Sequence, residues 1–323
     1  MDSRILSCFP QRIKEALLHL PLPLLEQIEE IRIRINQPIE VVLGSHSYFL
    51  SEDGRLKKEP DRFIVTPADG EKILNLISRH SLYALEEELK RGYITISGGH
   101  RVGLAGKVVR VDSRVELIKH IRFFNFRVAR PLPDIGKPLL PFLMSHNEPL
   151  NTLIISPPRC GKTTLLRDLI RLLSTGMKDD FSGFRVGVVD ERSELAGCLD
   201  GVPQYDLGPR TDVLDACPKA EGLMMLIRSM SPQVVACDEI GGKRDAEAIL
   251  AALHAGVKVI VTAHGSSLED IRCRPDLKPL FESSVFERYV VLSRRKGAGT
   301  VEQVMDAHHH PVQLRAGRRK NYA

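Results

Sequence analysis

The stretch from Asn151 to Leu166 leaves few options for the chain that contains it. It opens on an apolar run, Leu153 to Ile155, which predicts a short buried parallel strand. A tight loop, Ser156-Pro157-Pro158-Arg159-Cys160, leads into Gly161-Lys162-Thr163-Thr164. Apolar residues then recur at helical spacing (Leu165, Leu166, Leu169, Ile170, Leu172, Leu173) until Gly176 ends the run. Strand, loop, Gly-Lys-Thr and helix, in that order, form the context a phosphate-binding loop requires. Backbone N–H groups turn inward around a phosphate, and the helix N-terminus adds positive potential. Residues 156 to 164 are therefore expected to bind ATP. Gly161 allows close backbone approach, Lys162 neutralises the β- and γ-phosphates, and Thr163 offers its hydroxyl to Mg²⁺. The usual pattern begins with Gly where this chain has Ser156. Serine is small enough for the loop to close, but a positive φ there would be strained. Pro157 and Pro158 suit a rigid turn that needs no N–H. The competing reading is a chance Gly-Lys-Thr at an ordinary helix start.

At 323 residues the chain exceeds what one compact core usually holds, so two domains are expected. A net charge of +5 permits contact with nucleic acid or anionic lipid without demanding it. The lack of Trp and an aromatic fraction of 5% argue against a base-stacking surface. Cys8, Cys160, Cys198, Cys217, Cys237 and Cys273 form no Cys-x-x-Cys pair, which argues against a disulfide framework or a zinc site and for a reducing compartment. No apolar run approaches membrane-spanning length, and the N-terminus has no signal-peptide core. A cytoplasmic protein, at most peripheral to a membrane, is expected.

Residues 1–135 read as an α+β N-terminal domain with an antiparallel sheet. An amphipathic helix is expected over Pro10–Pro23. Ile31, Ile33 and Ile35 alternate with Arg32 and Arg34 in a half-buried strand, and Ile39–Leu43 makes another. Thr66 and Pro67 open a helix, and a second covers Leu82–Lys90. Strands are expected over Tyr93–Ser97, Arg101–Val111, Val115–Arg122 and Phe124–Val128. Gly103-Leu-Ala-Gly106-Lys107 mimics a phosphate loop, but Val108 offers magnesium no hydroxyl, so a glycine-rich hairpin is the better reading. Pro131, Pro133, Gly136 and Pro138 mark a linker. Residues 139–306 alternate strand-like runs (Leu153–Ile155, Val186–Val189, Val234–Cys237, Val259–Thr262, Tyr289–Leu292) with helical segments. That pattern is α/β with a mostly parallel sheet. Residues 307–323, with His308-His309-His310 and then Arg315, Arg318, Arg319 and Lys320, read as a basic, disordered tail, with metal binding or docking on an acidic surface as alternatives.

Three further strand ends carry chemistry. Val234–Cys237 delivers Asp238 and Glu239, placed to hold the magnesium shell and to orient the attacking water, respectively. Val188-Val189 delivers Asp190, Glu191 and Arg192, which would add a carboxylate and a cation near the γ-phosphate. The plain alternative is a helix N-cap at Asp190 beside a solvated pair. Val261-Thr262-Ala263-His264-Gly265 places His264 where it could sense the γ-phosphate, or where it is simply a structural His in a turn.

The order phosphate loop, Asp190-Glu191, Arg228-x-x-x-Pro232, Asp238-Glu239, Thr262-Ala263-His264-Gly265 resembles the type II/IV secretion and pilus-motor ATPase superfamily. Ser97–Lys107, Gly208–Asp215, Glu221-Gly222 and Arg228-Ser-Met-Ser-Pro232 are similar to its sporulation branch in endospore-forming bacteria. The resemblance spans nearly the whole chain apart from the tail; Gln233 departs from it where an acidic residue would follow Pro232. It implies that the α/β domain has the P-loop NTPase (RecA-like) fold, and a Mg²⁺-dependent ATPase of AAA+ type that forms a homo-hexamer in the mother-cell cytoplasm. Such a ring would sit against membrane-embedded components of a channel complex and couple hydrolysis to channel assembly or transport between mother cell and forespore. It implies catalytic roles for Glu239, Glu191 and His264. It also implies that N-terminal arginines reach the nucleotide, and here Arg122 and Arg127 occupy the matching stretch. As plain residues, both are surface charges on a sheet, and Arg192 and Arg210 are rivals for the same task.

Two other classes stay open. A nucleic-acid motor would share the core fold, but the few aromatics and modest basicity speak against nucleic acid as a partner. A nucleotide-dependent assembly switch would hydrolyse slowly and act by binding.

Overall fold

The computed structural model describes residues 2–79, 86–111, 114–178 and 180–313. The chain divides into two compact units, Met1–Arg130 and Pro131–Ala323.

In the first unit β1 (Ile28–Arg34), β2 (Glu40–Leu43), β3 (His46–Leu50), β4 (Leu56–Lys57), β5 (Tyr93–Ile96), β6 (His100–Val111) and β7 (Arg114–Arg127) form one sheet. Its order is β4-β3-β2-β1-β7-β6-β5, with every pair antiparallel. The helices are α1 (Ser3–Leu6), α2 (Gln11–Leu18), α3 (Leu22–Gln27), α4 (Pro67–Ile77) and α5 (Glu86–Arg91). The period of two in β1 buries Ile31 and Ile33 among Phe124 and Phe126 of β7, Ile13 and Leu17 of α2 and Ile73 of α4. Arg32 and Arg34 fall on the other face and pair with Glu30 and Glu40. Thr66 and Asp69 close a capping box ahead of α4, with Pro67 at its first position.

Two expectations change here. The helix over Pro10–Pro23 ends at Leu18, and Pro21 starts a new one, α3. The two strands expected over 115–128 are one strand, β7, paired along its length with β6. Gly106 lies within β6 at a register shift, where a Cβ would stand 2.6 Å from the Lys119 carbonyl oxygen, so the glycine admits a bulge rather than a phosphate. The expected helix over Leu82–Lys90 is seen from Glu86; its first part lies outside the described residues.

In the second unit β8 (Met144–Ser145) and β9 (Glu148–Pro149) form a small hairpin. The main sheet comprises β10 (Thr152–Ser156), β11 (Val186–Asp190), β12 (Thr211–Asp215), β13 (Val234–Ile240), β14 (Lys258–His264), β15 (Arg288–Ser293) and β16 (Thr300–Asp306). The order is β12-β11-β13-β14-β10-β15-β16, parallel throughout except for β16. Its helices are α6 (Lys162–Thr175), α7 (Lys219–Met230), α8 (Lys243–His254), α9 (Leu268–Arg272) and α10 (Lys278–Glu282). Leu166, Leu169 and Leu173 of α6 pack with Ile154 and Val188 in one buried cluster. Leu223 of α7 and Ile249 of α8 pack with Leu153 and Val235 in another. Alternate residues of β10 thus serve two cores, as in a strand covered on both faces. The parallel direction brings Ser156, Asp190, Glu239, His264 and Ser293 to one edge of the sheet.

The boundaries also differ from those expected. Asp168, buried on α6, accepts N–H groups from Asp134 at 3.1 Å and Gly136 at 2.8 Å, and Arg171 joins Asp134 to Asp168. From Asp134 onward the proline-rich linker is therefore part of the second unit. Residues 307–313, placed in the tail by sequence, are held as well. The Asp306 carboxylate accepts the N–H groups of His308 and His310, Val312 pairs with Val304, and the His309 ring lies against Tyr289. Among the described residues no three His, Cys, Asp or Glu side chains are grouped so as to hold a metal ion. Arg315, Arg318, Arg319 and Lys320 lie outside the described residues. The six cysteines are free thiols. No described helix is long and apolar enough to cross a membrane.

Candidate nucleotide-binding site

The loop begins where β10 ends. Ser156 is the last, fully buried residue of that strand and has no positive φ. The left-handed turns fall instead on Arg159 (φ 57°) and Gly161 (φ 84°). The strain anticipated at Ser156 thus does not arise, because the loop makes its turn three residues further on. Pro158 and Arg159 are exposed, Pro157 and Thr164 half-buried, and Cys160 buried.

α6 starts at Lys162, and its first turn points at the end of β13. Lys162 is buried; its Nζ bonds the Glu239 carboxylate and lies 3.7 Å from Asp238 Oδ1. Thr163 Oγ1 donates to Asp238 Oδ2 at 2.5 Å. Thr262, which precedes Ala263 and His264 on β14, donates its hydroxyl to Asp238 and accepts the Glu239 N–H at 2.9 Å. In a regular strand Asp238 and Glu239 would face opposite ways. Here β13 shifts register against β14 between Cys237 and Ile240, and Glu239 adopts φ 55°. That bulge aims both carboxylates at the first turn of α6. Burial alone would raise the Glu239 pKa, but the Lys162 hydrogen bond and charge, with Arg192 beyond, outweigh it and hold the carboxyl below the usual glutamate range. Arg192 Nη1 donates to Glu239 Oε2 at 2.9 Å.

The other strand ends complete the rim. His264 is exposed, with Nδ1 3.2 Å from the Ser156 carbonyl, to which it donates. Glu191 pairs with Lys219 at the start of α7 and shares a small cavity with Arg192, Asp238 and Glu239. Thr163 and Asp238 offer oxygen ligands of the kind a hard divalent cation takes. With Lys162 and a glycine-bearing loop at a helix N-terminus, they fit Mg²⁺ and the phosphates of ATP.

The sequence model of the sporulation stage III, protein AA family matches residues 2–312. The chain belongs to that family. It is 53% identical over 304 residues to stage III sporulation protein AA of Bacillus subtilis (strain 168), spanning 94% of this chain and 95% of that one. Among solved structures, the ATPase DotB of Yersinia pseudotuberculosis aligns with TM-score 0.58 at 14% identity, over 93% of this chain and 81% of that one. The pilus retraction motor PilT, solved with bound ADP, aligns with TM-score 0.56 at 14% identity, over 87% and 76%. Identities this low show the fold, which is that of the P-loop secretion ATPases. The AAA+ part of the expectation is corrected: the fold is the secretion-ATPase one.

For this sporulation-family chain, two expected site residues take other places. Asp190 is neither a helix N-cap nor a group facing the loop. It is buried and accepts the N–H groups of Glu194, Leu195 and Ala196 at 2.8–3.0 Å. Burial pushes its carboxyl above the ordinary range despite those three donors. Asp190→Ala is expected to cost about 3 kcal/mol of stability, since it strands buried amides; a denaturant midpoint equal to wild type would refute this structural role. Arg210 binds the carbonyls of Ser174 and Thr175, at the end of α6 remote from Lys162, and is no rival for the phosphates. Arg122 and Arg127 are both exposed on β7, five residues apart. An odd spacing places them on opposite faces of the strand.

Proposed function

We propose that this chain hydrolyses ATP and acts as the motor of a secretion-like channel complex in sporulating bacteria, coupling hydrolysis to channel assembly or to transport between mother cell and forespore. The observation that carries the proposal is the convergence of Lys162, Thr163, Asp238 and Glu239 at the end of the phosphate-loop strand. Lys162 exchanges its contact with Glu239 for the terminal phosphates. Glu239, released, orients the attacking water, and Arg192 keeps it ionised. Mg²⁺, held by Thr163 and Asp238, would offset the charge of the β- and γ-phosphates. Glu191 and His264 stand beside Glu239 and the loop, placed to couple hydrolysis to neighbouring elements. A homo-hexamer in the mother-cell cytoplasm, bound to the membrane through channel components and without nucleic acid, is the assembly this reading carries.

One observation favours a slower, switch-like enzyme. Glu239 is engaged by two cations, Lys162 and Arg192, and the Lys162 contact must yield before it can handle water. Steady-state hydrolysis, with mass determination with and without ATP and Mg²⁺, tests the proposal. Mg²⁺-dependent turnover and an ATP-dependent rise to six copies are expected; a chain that neither binds nor hydrolyses Mg–ATP overturns it. Stimulation of turnover by the membrane partners separates motor from switch.

An N-terminal arginine acting on a neighbouring subunit's nucleotide makes a separate prediction. Subunits carrying Arg127→Ala or Arg122→Ala are mixed with Lys162→Ala subunits. Mixed rings are expected to regain part of the activity for one of the two arginines, because one interface then has an intact Arg and an intact Lys. Normal hydrolysis by both arginine variants alone would leave Arg192 as the candidate.

A further inference from the structure

The turn between β15 and β16, Arg294-Arg295-Lys296-Gly297-Ala298-Gly299, plays no part in the chemistry above, yet it lies against the phosphate loop. The Gly299 N–H donates to the Cys160 carbonyl at 2.7 Å. A Cβ on Gly161 would stand 2.9 Å from the Gly299 nitrogen and 3.4 Å from the Ala298 Cβ, so the loop tolerates only glycine beneath the turn. Sheet order explains the contact. β15 neighbours β10 on the side away from β14, with Ile155 in register with Val291, and the chain therefore leaves β15 beside Ser156 and the loop.

The turn is braced by its own bonds. Thr300 Oγ1 donates to the Gly297 carbonyl at 2.7 Å, and the Gly297 N–H donates to the Arg294 carbonyl at 3.0 Å. Its three cations differ in what they do. Arg295 is committed to Glu302, with Nε and Nη2 each 3.0 Å from a carboxylate oxygen. Arg294 and Lys296 are exposed, and among the described residues neither has a carboxylate within ion-pair distance. The structure therefore presents two uncommitted cations on a rigid turn fastened to the loop.

The direction of a bound nucleotide follows from the same sheet. Lys162 and Thr163 reach Asp238 and Glu239 on β13, which lies beyond β14, so the terminal phosphates point that way. A nucleoside triphosphate carries its phosphates at one end. Its sugar and base must then leave the loop on the other side, where β15 ends. We propose that the β15–β16 turn seats the base of the nucleotide, with Arg294 and Lys296 laid against its π face. A planar guanidinium stacks on a purine, and an ammonium is attracted to the same face. The inference rests on the ATP reading and adds to it the part of the site that distinguishes a nucleotide from a bare polyphosphate.

The test is calorimetric titration of the full chain with Mg–ADP and, separately, with inorganic tripolyphosphate. Wild type is expected to bind both. The double variant Arg294→Ala/Lys296→Ala is expected to bind ADP roughly tenfold more weakly, with its affinity for tripolyphosphate within about twofold of wild type. The tripolyphosphate arm also guards against a variant whose loop has collapsed, because a damaged loop would lose both ligands. Unchanged ADP affinity in the variant, or equal losses for both ligands, overturns the base seat while leaving the ATP reading intact. A wild-type chain that binds neither ligand fails at the ATP reading itself, and the base seat falls with it.

Discussion

Lys162→Ala is expected to remove measurable ATP hydrolysis and to weaken nucleotide binding by roughly 10- to 100-fold, the scale of one charge-assisted hydrogen bond. The reason is the company Lys162 keeps. Its ammonium is buried against Asp238 and Glu239. Without it, two carboxylates would face the incoming phosphates without the cation that sits between them, and like charges at such separations repel strongly where water is scarce. A turnover assay on the purified variant, with its fold checked by circular dichroism, decides the matter. Wild-type turnover would remove the phosphate loop from the chemistry and with it the whole functional reading.

Glu239→Gln is expected to leave ATP bound and to slow hydrolysis by about 10²–10⁴-fold, the usual cost of losing a group that positions or deprotonates the nucleophile. The amide keeps the shape of the side chain and one acceptor, while Asp238 and Thr163 remain to hold the cation. It also loosens the tie on Lys162, so ATP affinity should hold or rise. Because Glu239 is kept below the ordinary glutamate range, it stays ionised through neutral pH, and its contribution fails only as pH falls through that lowered value. If Glu239→Gln hydrolyses ATP normally while Glu191→Gln is dead, the end of β11, not that of β13, handles the attacking water.

Much of this site is legible in the sequence because its signals are local. An apolar strand, a Gly-Lys-Thr and an amphipathic helix are contiguous, and the β13 run announces two carboxylates at its end. What escapes such reading depends on partners distant in the chain. The bulge that turns Asp238 and Glu239 the same way is a misregister between β13 and β14. The role of Thr262, whose hydroxyl joins the Asp238 carboxylate to the Glu239 N–H, follows from that misregister. Asp190 looks like Asp238 in sequence, but its fate is decided by the loop that folds back over it and supplies three N–H groups. The edge strands β12 and β16 are half-buried and mix polar with apolar residues, so periodicity alone does not separate them from loops. The turn over the phosphate loop is invisible for another reason: nothing in Arg294–Gly299 announces what it touches.

The fastening of Asp134 and Gly136 to Asp168 has a mechanical consequence. Arg130 closes the first unit with its guanidinium on the Ile28 carbonyl, at 2.7 Å. Between that anchor and Asp134 run only Pro131, Leu132 and Pro133, a tether that spans about 14 Å at full stretch. Two prolines make it stiff, closer to a rod than a string. Its far end is bolted to α6, the helix whose first turn carries Lys162 and whose later turns carry Asp168. A displacement of α6 would therefore be handed to Asp134 and Gly136 directly, so the helix that starts at Lys162 also steers the segment by which the chain enters the second unit.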